Sequence, residues 1–341
     1  MDYLFYLIPL LSVVITFILT VIILKKLIPV LKSHHVGQKI LEIGPRWHKG
    51  KEGTPTMGGL SFMLACAAVT VIFLIVLIIL RCCGALEQVS IKAFIIMLST
   101  LFLGFANGAV GIVDDKAKLK HKKNEGLTAL QKYLLQFVIA VIYIAILAFG
   151  GCIDTSLALP FSHTLIDIGI FYYPLAVIFI TGVVNSVNLT DGIDGLASSV
   201  TAVIGIFFLL IAFLQGNLLN SFPPALVLGS TLGFLVFNYY PARIFMGDTG
   251  SLFLGGLVVG ISIACKAEIF FIIGGLLYFL EALSVIIQVL YFKATHGKRF
   301  FKMAPIHHHF EKCGWNERKI MFSFSAFTLI MCIIAYLGYI L

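Results

Sequence analysis

Charge is what this sequence has least of. Only 12% of its 341 residues are Asp, Glu, Lys or Arg, against 60% hydrophobic, and soluble domains carry about a quarter charged residues. A soluble globular chain is excluded. The seven cysteines show no CxxC and no spacing shared with histidine, so they announce no zinc or redox centre. Most lie in or beside apolar runs and read as packing residues. Also missing are a basic stretch ahead of the first apolar run and a small-residue cleavage site after it. The opening segment therefore reads as a retained transmembrane helix, not a signal peptide. No internal repeat, low-complexity tract or separate soluble segment is visible, and one membrane domain is expected to occupy residues 1–341.

What the chain has in abundance is apolar runs of spanning length. They predict an all-α polytopic membrane protein with ten spans, near Tyr3–Leu24, Met57–Leu80, Phe94–Val113, Leu130–Gly150, Phe171–Leu189, Leu196–Leu214, Ala225–Tyr239, Gly250–Cys265, Phe270–Tyr291 and Ile320–Leu341. The loops on one side then hold 21 of the 24 basic residues, while the other side holds Arg81, Lys92 and Lys266. The positive-inside rule makes the basic side cytoplasmic and puts both termini outside. The net charge of +8 thus describes loops facing a membrane and implies no nucleic-acid partner. In the outer loop Cys152–Gly169, the pieces Leu157–Pro160 and Thr164–Ile168 are candidates for a small hairpin, which Pro160 weakens.

The acids collect on the basic side. Asp114 and Asp115 end the third span in GIVDDKAKLK, Asp191 and Asp194 end the fifth in NSVNLTDGIDGLA, and Asp248 opens the eighth in FMGDTGS. Five carboxylates at one level repel one another unless a cation sits among them, and charge at membrane depth is costly and usually functional. Oxygen ligands without thiolates suit Mg²⁺ or Mn²⁺. Plainer readings stand beside this one. Asp114 and Asp115 fit a solvated helix end paired with Lys116 and Lys118. Asp191, Asp194 and Asp248 fit helix caps.

Three other features bear on the site. The loop KATHGKRFFKMAPIHHHFEKCGWNERK carries His307, His308 and His309. Three consecutive side chains cannot face one metal from a regular helix, but histidines beside Lys298, Arg299 and Lys302 suit phosphate oxygens. The interleaved phenylalanines suit a segment at the membrane-lipid interface. HKGKEGTPTMGGL, with Lys49, Lys51 and Thr56, leads a glycine-rich turn into the second span, where an anion can meet a helix N-terminus. In the ninth span Glu281 and Gln288 share a helical face. A structural hydrogen-bonding role is expected for Glu281.

PTMGG (Pro55–Gly59), the Asp pair after GIV, NLTDGIDGLA (Asn188–Ala197), FNYYPARIFMGDTGSL (Phe237–Leu252) and PIHHHFE (Pro305–Glu311) follow in this order. Together they resemble the polyprenyl-phosphate N-acetylhexosamine-1-phosphate transferases, and within them the branch acting on phospho-MurNAc-pentapeptide. The resemblance implies ten helices, both ends outside, a site at the cytoplasmic face of a bacterial inner membrane, and Mg²⁺. It implies transfer from UDP-MurNAc-pentapeptide to undecaprenyl phosphate, giving lipid I and UMP. By the same resemblance Asp248 is the chief metal ligand, with Asp191 near it. Asp114 engages or deprotonates the carrier phosphate, with Asp115 in support. Gly192, Ile193, Asp194, Asn238 and Phe245 line the uridine pocket. Lys51, Thr56, Asn188, Asp191, Gln288, His307, His309 and above all His308, taken as catalytic, serve the sugar side. Lys118, Lys122 and Lys132 meet phosphates or carrier. The family's usual GLDGLA reads GIDGLA here, a volume-conserving change. A homodimer is a further expectation. Other readings are a UDP-GlcNAc transferase, which the HHHFE loop disfavours, and an ion-coupled transporter, which would place ionisable groups near the midplane.

Overall fold

The computed structural model describes residues 2–33, 51, 53–84, 90–121, 126–162 and 164–341. Among them are twelve α-helices and one small hairpin, and ten of the helices are long and apolar enough to cross a membrane. The protein is a polytopic all-α membrane protein.

The spans are α1 (Asp2–Ser33), α2 (Gly59–Cys82), α3 (Ile91–His121), α4 (Ala129–Phe149), α5 (Tyr172–Thr190), α6 (Leu196–Leu214), α7 (Leu218–Asn238), α8 (Gly247–Ala264), α10 (Leu276–Ala294) and α12 (Glu317–Ile340). Two short helices, α9 (Glu268–Gly274) and α11 (Ile306–Lys312), complete the set. Several boundaries differ from those expected, among them the end of α1, which runs on from Leu24 to Ser33. α3 continues six residues beyond Asp115, because the helix formers of KAKLKH carry the winding past the point where hydropathy falls. α7 starts at Leu218 under an Asn217 cap and absorbs Pro223 and Pro224, as spans packed among neighbours can. The ninth apolar run is broken at Gly275 into α9 and α10.

β1 (Ser156–Ala158) pairs antiparallel with β2 (Leu165–Asp167), Leu157 opposite Ile166. Pro160 lies in the connection, so its missing N–H removes no ladder bond. The hairpin sits at the end of the bundle that also holds both chain ends. Phe161 N donates to Gly338 O, Gln215 Nε2 donates to the Tyr339 hydroxyl at 2.9 Å, and Tyr6 lies edge-on to Phe213 at 5.1 Å.

α8 is the hub, buried along nearly its whole length, and its longest contact is with α3. The two backbones touch. A β-carbon on Gly111 would stand 2.2 Å from Asp248 O, and one on Gly256 would stand 2.6 Å from Leu103 O. Small residues at such crossings let helices close on each other where lipid supplies no hydrophobic drive. The outward faces of α1, α4, α10 and α12 remain apolar and exposed, as a lipid-facing surface requires.

Candidate active site

Tight packing of α3 on α8 brings Asp114 and Asp115 to Asp248. One oxygen from each of the three lies within 4.8 Å of the others. Asp114 and Asp115 are 1% and 4% exposed, so they do not form the solvated helix end that their position after an apolar run suggested.

Each carboxylate is held differently. Asp115 spans the start of α8, its Oδ1 accepting from Asp248 N at 3.2 Å and its Oδ2 from Thr249 N at 2.9 Å and Thr249 Oγ1 at 2.7 Å. It caps, from another helix, N–H groups that have no partner within α8. Asp248 itself caps nothing. As the second residue of α8, its Oδ1 accepts from Asn188 Nδ2 at 2.9 Å and its Oδ2 from Lys118 at 2.9 Å and from Lys132. Asp114 Oδ1 accepts from Leu127 N at 2.8 Å, and its Oδ2 pairs with Lys118 at 2.7 Å and Lys132 at 3.3 Å. Lys132 reaches in from the first turn of α4, whose start is fixed by a capping box between Thr128 and Gln131.

The donor set is all oxygen, anionic and closely spaced, which fits a hard divalent cation. Two ammonium groups share the space, as neutralisation of buried carboxylates demands. Asp191, expected beside Asp248 as a metal ligand, is outside this group of three. Asp191 ends α5 as its C-cap residue. Its carboxyl is pushed up to about 8, by burial first and then by the carboxylates of Asp248, Asp115 and Asp194.

A second network stands beside the first. Lys51 Nζ bridges Asp194 at 2.7 Å and Glu317 at 2.6 Å. Glu317 Oε2 also accepts from Asp194 N at 3.0 Å, and Asp194 Oδ2 from Ala242 N at 2.9 Å. Asn238 Oδ1 accepts from Gly195 N and Ser198 Oγ, both at 3.1 Å, while its Nδ2 donates to Ile244 O at 3.0 Å. These bonds clamp the turn between α5 and α6, with Ile193 buried inside it, onto the loop 239–246. Phe245 continues that loop through backbone bonds with Pro55 and Gly58. A β-carbon on Gly247 would come 2.6 Å from Asp115 Oδ2 and 3.0 Å from Thr56 Oγ1, so PTMGG, α3 and α8 meet there.

The three histidines diverge on α11. His307 is fully buried, with Nδ1 3.0 Å from Glu281 Oε2. His308 Nδ1 lies 2.5 Å from Glu311 Oε2, and His309 Nδ1 accepts from Lys302 N at 3.1 Å. Gln288 Oε1 accepts from Phe301 N at 2.8 Å. Gln288 and His309 thus hold the basic loop, and no hydrogen bond or ion pair among the described residues ties them to the carboxylates. Lys122 lies outside the described residues. Glu317, Thr249 and Ser251, the last accepting from Asn188 Nδ2 at 2.7 Å, escaped the sequence reading. Only the GDTGS motif hinted at Thr249 and Ser251. Glu317 follows the Asn316 cap and looks like an ordinary first-turn acid.

Comparison with known proteins places the chain in a family. The model of glycosyl transferase family 4 matches residues 94–266. A signature of phospho-N-acetylmuramoyl-pentapeptide-transferase matches residues 51–62. Proteins of that name from Clostridium kluyveri and Clostridium acetobutylicum are 43% and 45% identical, each alignment covering 96% of this chain and 98% of the relative. One from Clostridioides difficile is 43% identical over 94% of both chains.

Proposed function

Because the chain belongs to the phospho-N-acetylmuramoyl-pentapeptide-transferase family, we propose that it transfers phospho-MurNAc-pentapeptide from UDP-MurNAc-pentapeptide to undecaprenyl phosphate, giving lipid I and UMP. The observation that carries this reading is the meeting of Asp114, Asp115 and Asp248 beside Lys118 and Lys132, at the edge of ten spanning helices. A lipid-borne phosphate and a water-soluble nucleotide can meet only at such an edge.

In this reading a carrier phosphate oxygen attacks the β-phosphorus, and the bond to UMP breaks. Phosphoryl transfer needs positioning and neutralisation of oxygen charge more than covalent help. Lys118 and Lys132 supply fixed positive charge, and Asp114, between them, faces the carrier phosphate. Asp248 and Asp114 would hold Mg²⁺, which supplies further charge neutralisation at the transferring phosphate. Asp115 keeps the N-terminus of α8, and Asp248 with it, in place. Direct attack is favoured over an aspartyl-phosphate intermediate, because a phosphomonoester is already a competent nucleophile. The turn 191–194, Lys51, Asn238 and Phe245 form the nucleotide side, and His308 with Gln288 the sugar side. The excess of Lys and Arg on this face supports a cytoplasmic site in the bacterial inner membrane, both termini outside.

The decisive experiment is UMP release by the purified protein. Release is expected only when Mg²⁺, undecaprenyl phosphate and UDP-MurNAc-pentapeptide are present together. Equal turnover of UDP-GlcNAc in a parallel assay would move the protein to the neighbouring branch, and no UMP at all would end the reading.

A further inference from the structure

Among the buried polar atoms with no hydrogen-bond partner among the described residues are Glu281 Oε1 and His307 Nε2, which stand apart from the aspartate cluster. They belong to one pair. Glu281 Oε2 lies 3.0 Å from His307 Nδ1, and both side chains are 0% exposed. Glu281 comes from inside the spanning helix α10, and His307 from α11, which the loop 295–305 carries back against α10. Leaving a buried polar atom unmet costs about 1–3 kcal/mol, and two in one pair call for an explanation. Apolar side chains of similar volume would fill the space without that cost.

Orientation supplies the explanation. A hydrogen bond from Nδ1 to a carboxylate fixes both the ring plane and the nitrogen that carries the proton. Here it turns Nε2 onto Gly192, where a β-carbon would stand only 2.1 Å from that nitrogen. Gly192 is not among the residues of positive φ, so the backbone does not demand glycine at this position. The imidazole does. Glu281, His307 and Gly192 therefore form one line of contact from the interior of α10 to the turn between Asp191 and Asp194.

We propose that Glu281 is a positioning residue for the sugar nucleotide. It holds His307 against the 191–194 turn and so sets the shape of the nucleotide side of the site. The proposal rests on the reading of that turn as the nucleotide side.

The test uses full-length purified protein in detergent with Mg²⁺, measuring the Kd of UDP-MurNAc-pentapeptide by calorimetry without lipid phosphate, and then KM for each substrate. Glu281→Leu is expected to weaken nucleotide binding and raise its KM by about tenfold or more, the scale of a displaced positioning contact. KM for undecaprenyl phosphate should stay within about twofold. Glu281→Gln, whose amide oxygen still accepts from Nδ1, should recover most of the loss. In a His307→Asn background Glu281→Leu should add little, since its effect runs through the imidazole. Nucleotide affinity like that of the wild type in Glu281→Leu, a parallel rise of both KM values, or additive losses in the double variant would each overturn the proposal. If Glu281→Leu does not fold, Glu281→Met, which also removes the acceptor, takes its place in the cycle with His307→Asn on the same criterion. Wild-type protein that binds no nucleotide would instead defeat the functional reading itself.

Discussion

Lysine meets aspartate at both ends of this bundle, with opposite meaning. At the end holding the hairpin, Lys266 pairs with Asp154, their side chains 54% and 41% exposed. At the other end Lys118 and Lys132 meet Asp114 and Asp248, and all four side chains are between 1% and 35% exposed. An exposed pair gains little because water already solvates both ions. A buried pair costs its desolvation and offsets that cost only with good geometry. A chain selected for stability alone has no reason to gather three carboxylates and two ammonium groups in one buried place, so the inner cluster points to chemistry and the outer pair to local tethering.

The comparison breaks most sharply at Asp248. Asp248→Asn removes the group on which Lys118, Lys132 and Asn188 converge, and UMP release should fall by about a thousandfold or more, the upper range for loss of one preorganised electrostatic contact. The thermal midpoint should barely move, and near-normal turnover would remove Asp248 from the site. Lys132→Met should cost about a hundredfold in kcat on the same grounds, with Lys118 still pairing Asp114. A loss confined to KM would reassign Lys132 to binding. Asp115→Asn, which weakens a cap, is expected to lower stability by about 1 kcal/mol and activity less than Asp248→Asn does, as denaturant unfolding and turnover together would show.

The smallest effect belongs to the outer pair. The Lys266 ammonium, helped by the Ser156 N–H, holds the Asp154 carboxyl down at about 2, below the usual value near 4. A depressed folded-state value means that the pair's contribution is present above pH about 4 and lost as pH falls through about 2. Lys266→Ala should therefore change stability by no more than about 0.5 kcal/mol at neutral pH, and that difference should vanish once pH falls below about 2. A large loss at neutral pH would erase the contrast between the two ends.

Much of this contrast can be read in the sequence. Ten apolar runs and the lopsided basic loops are properties of composition, which needs no tertiary knowledge. The carboxylates and histidines stand out because charge is rare here. What composition cannot show is where a helix stops. Hydropathy falls at Asp114, yet KAKLKH keeps α3 wound. The ninth run reads as one span from Phe270 to Tyr291, yet it breaks at Gly275. Nor can local sequence show partners distant along the chain. Asp115 spends both oxygens on α8, and Glu317 joins Lys51 and Asp194 from the far end of the chain. Those bonds single out residues that brace the site, and residue type alone does not do so.

The contact at Gly111 has a consequence for ligand design. Main chain there rests on the Asp248 carbonyl, so the gap between the α3 and α8 backbones that carry the acids has a width set by direct contact, and side-chain rotation adjusts only what lies within it. An inhibitor bridging that gap must be cut to one length, and escape from it by widening the gap would require prising apart two whole helices.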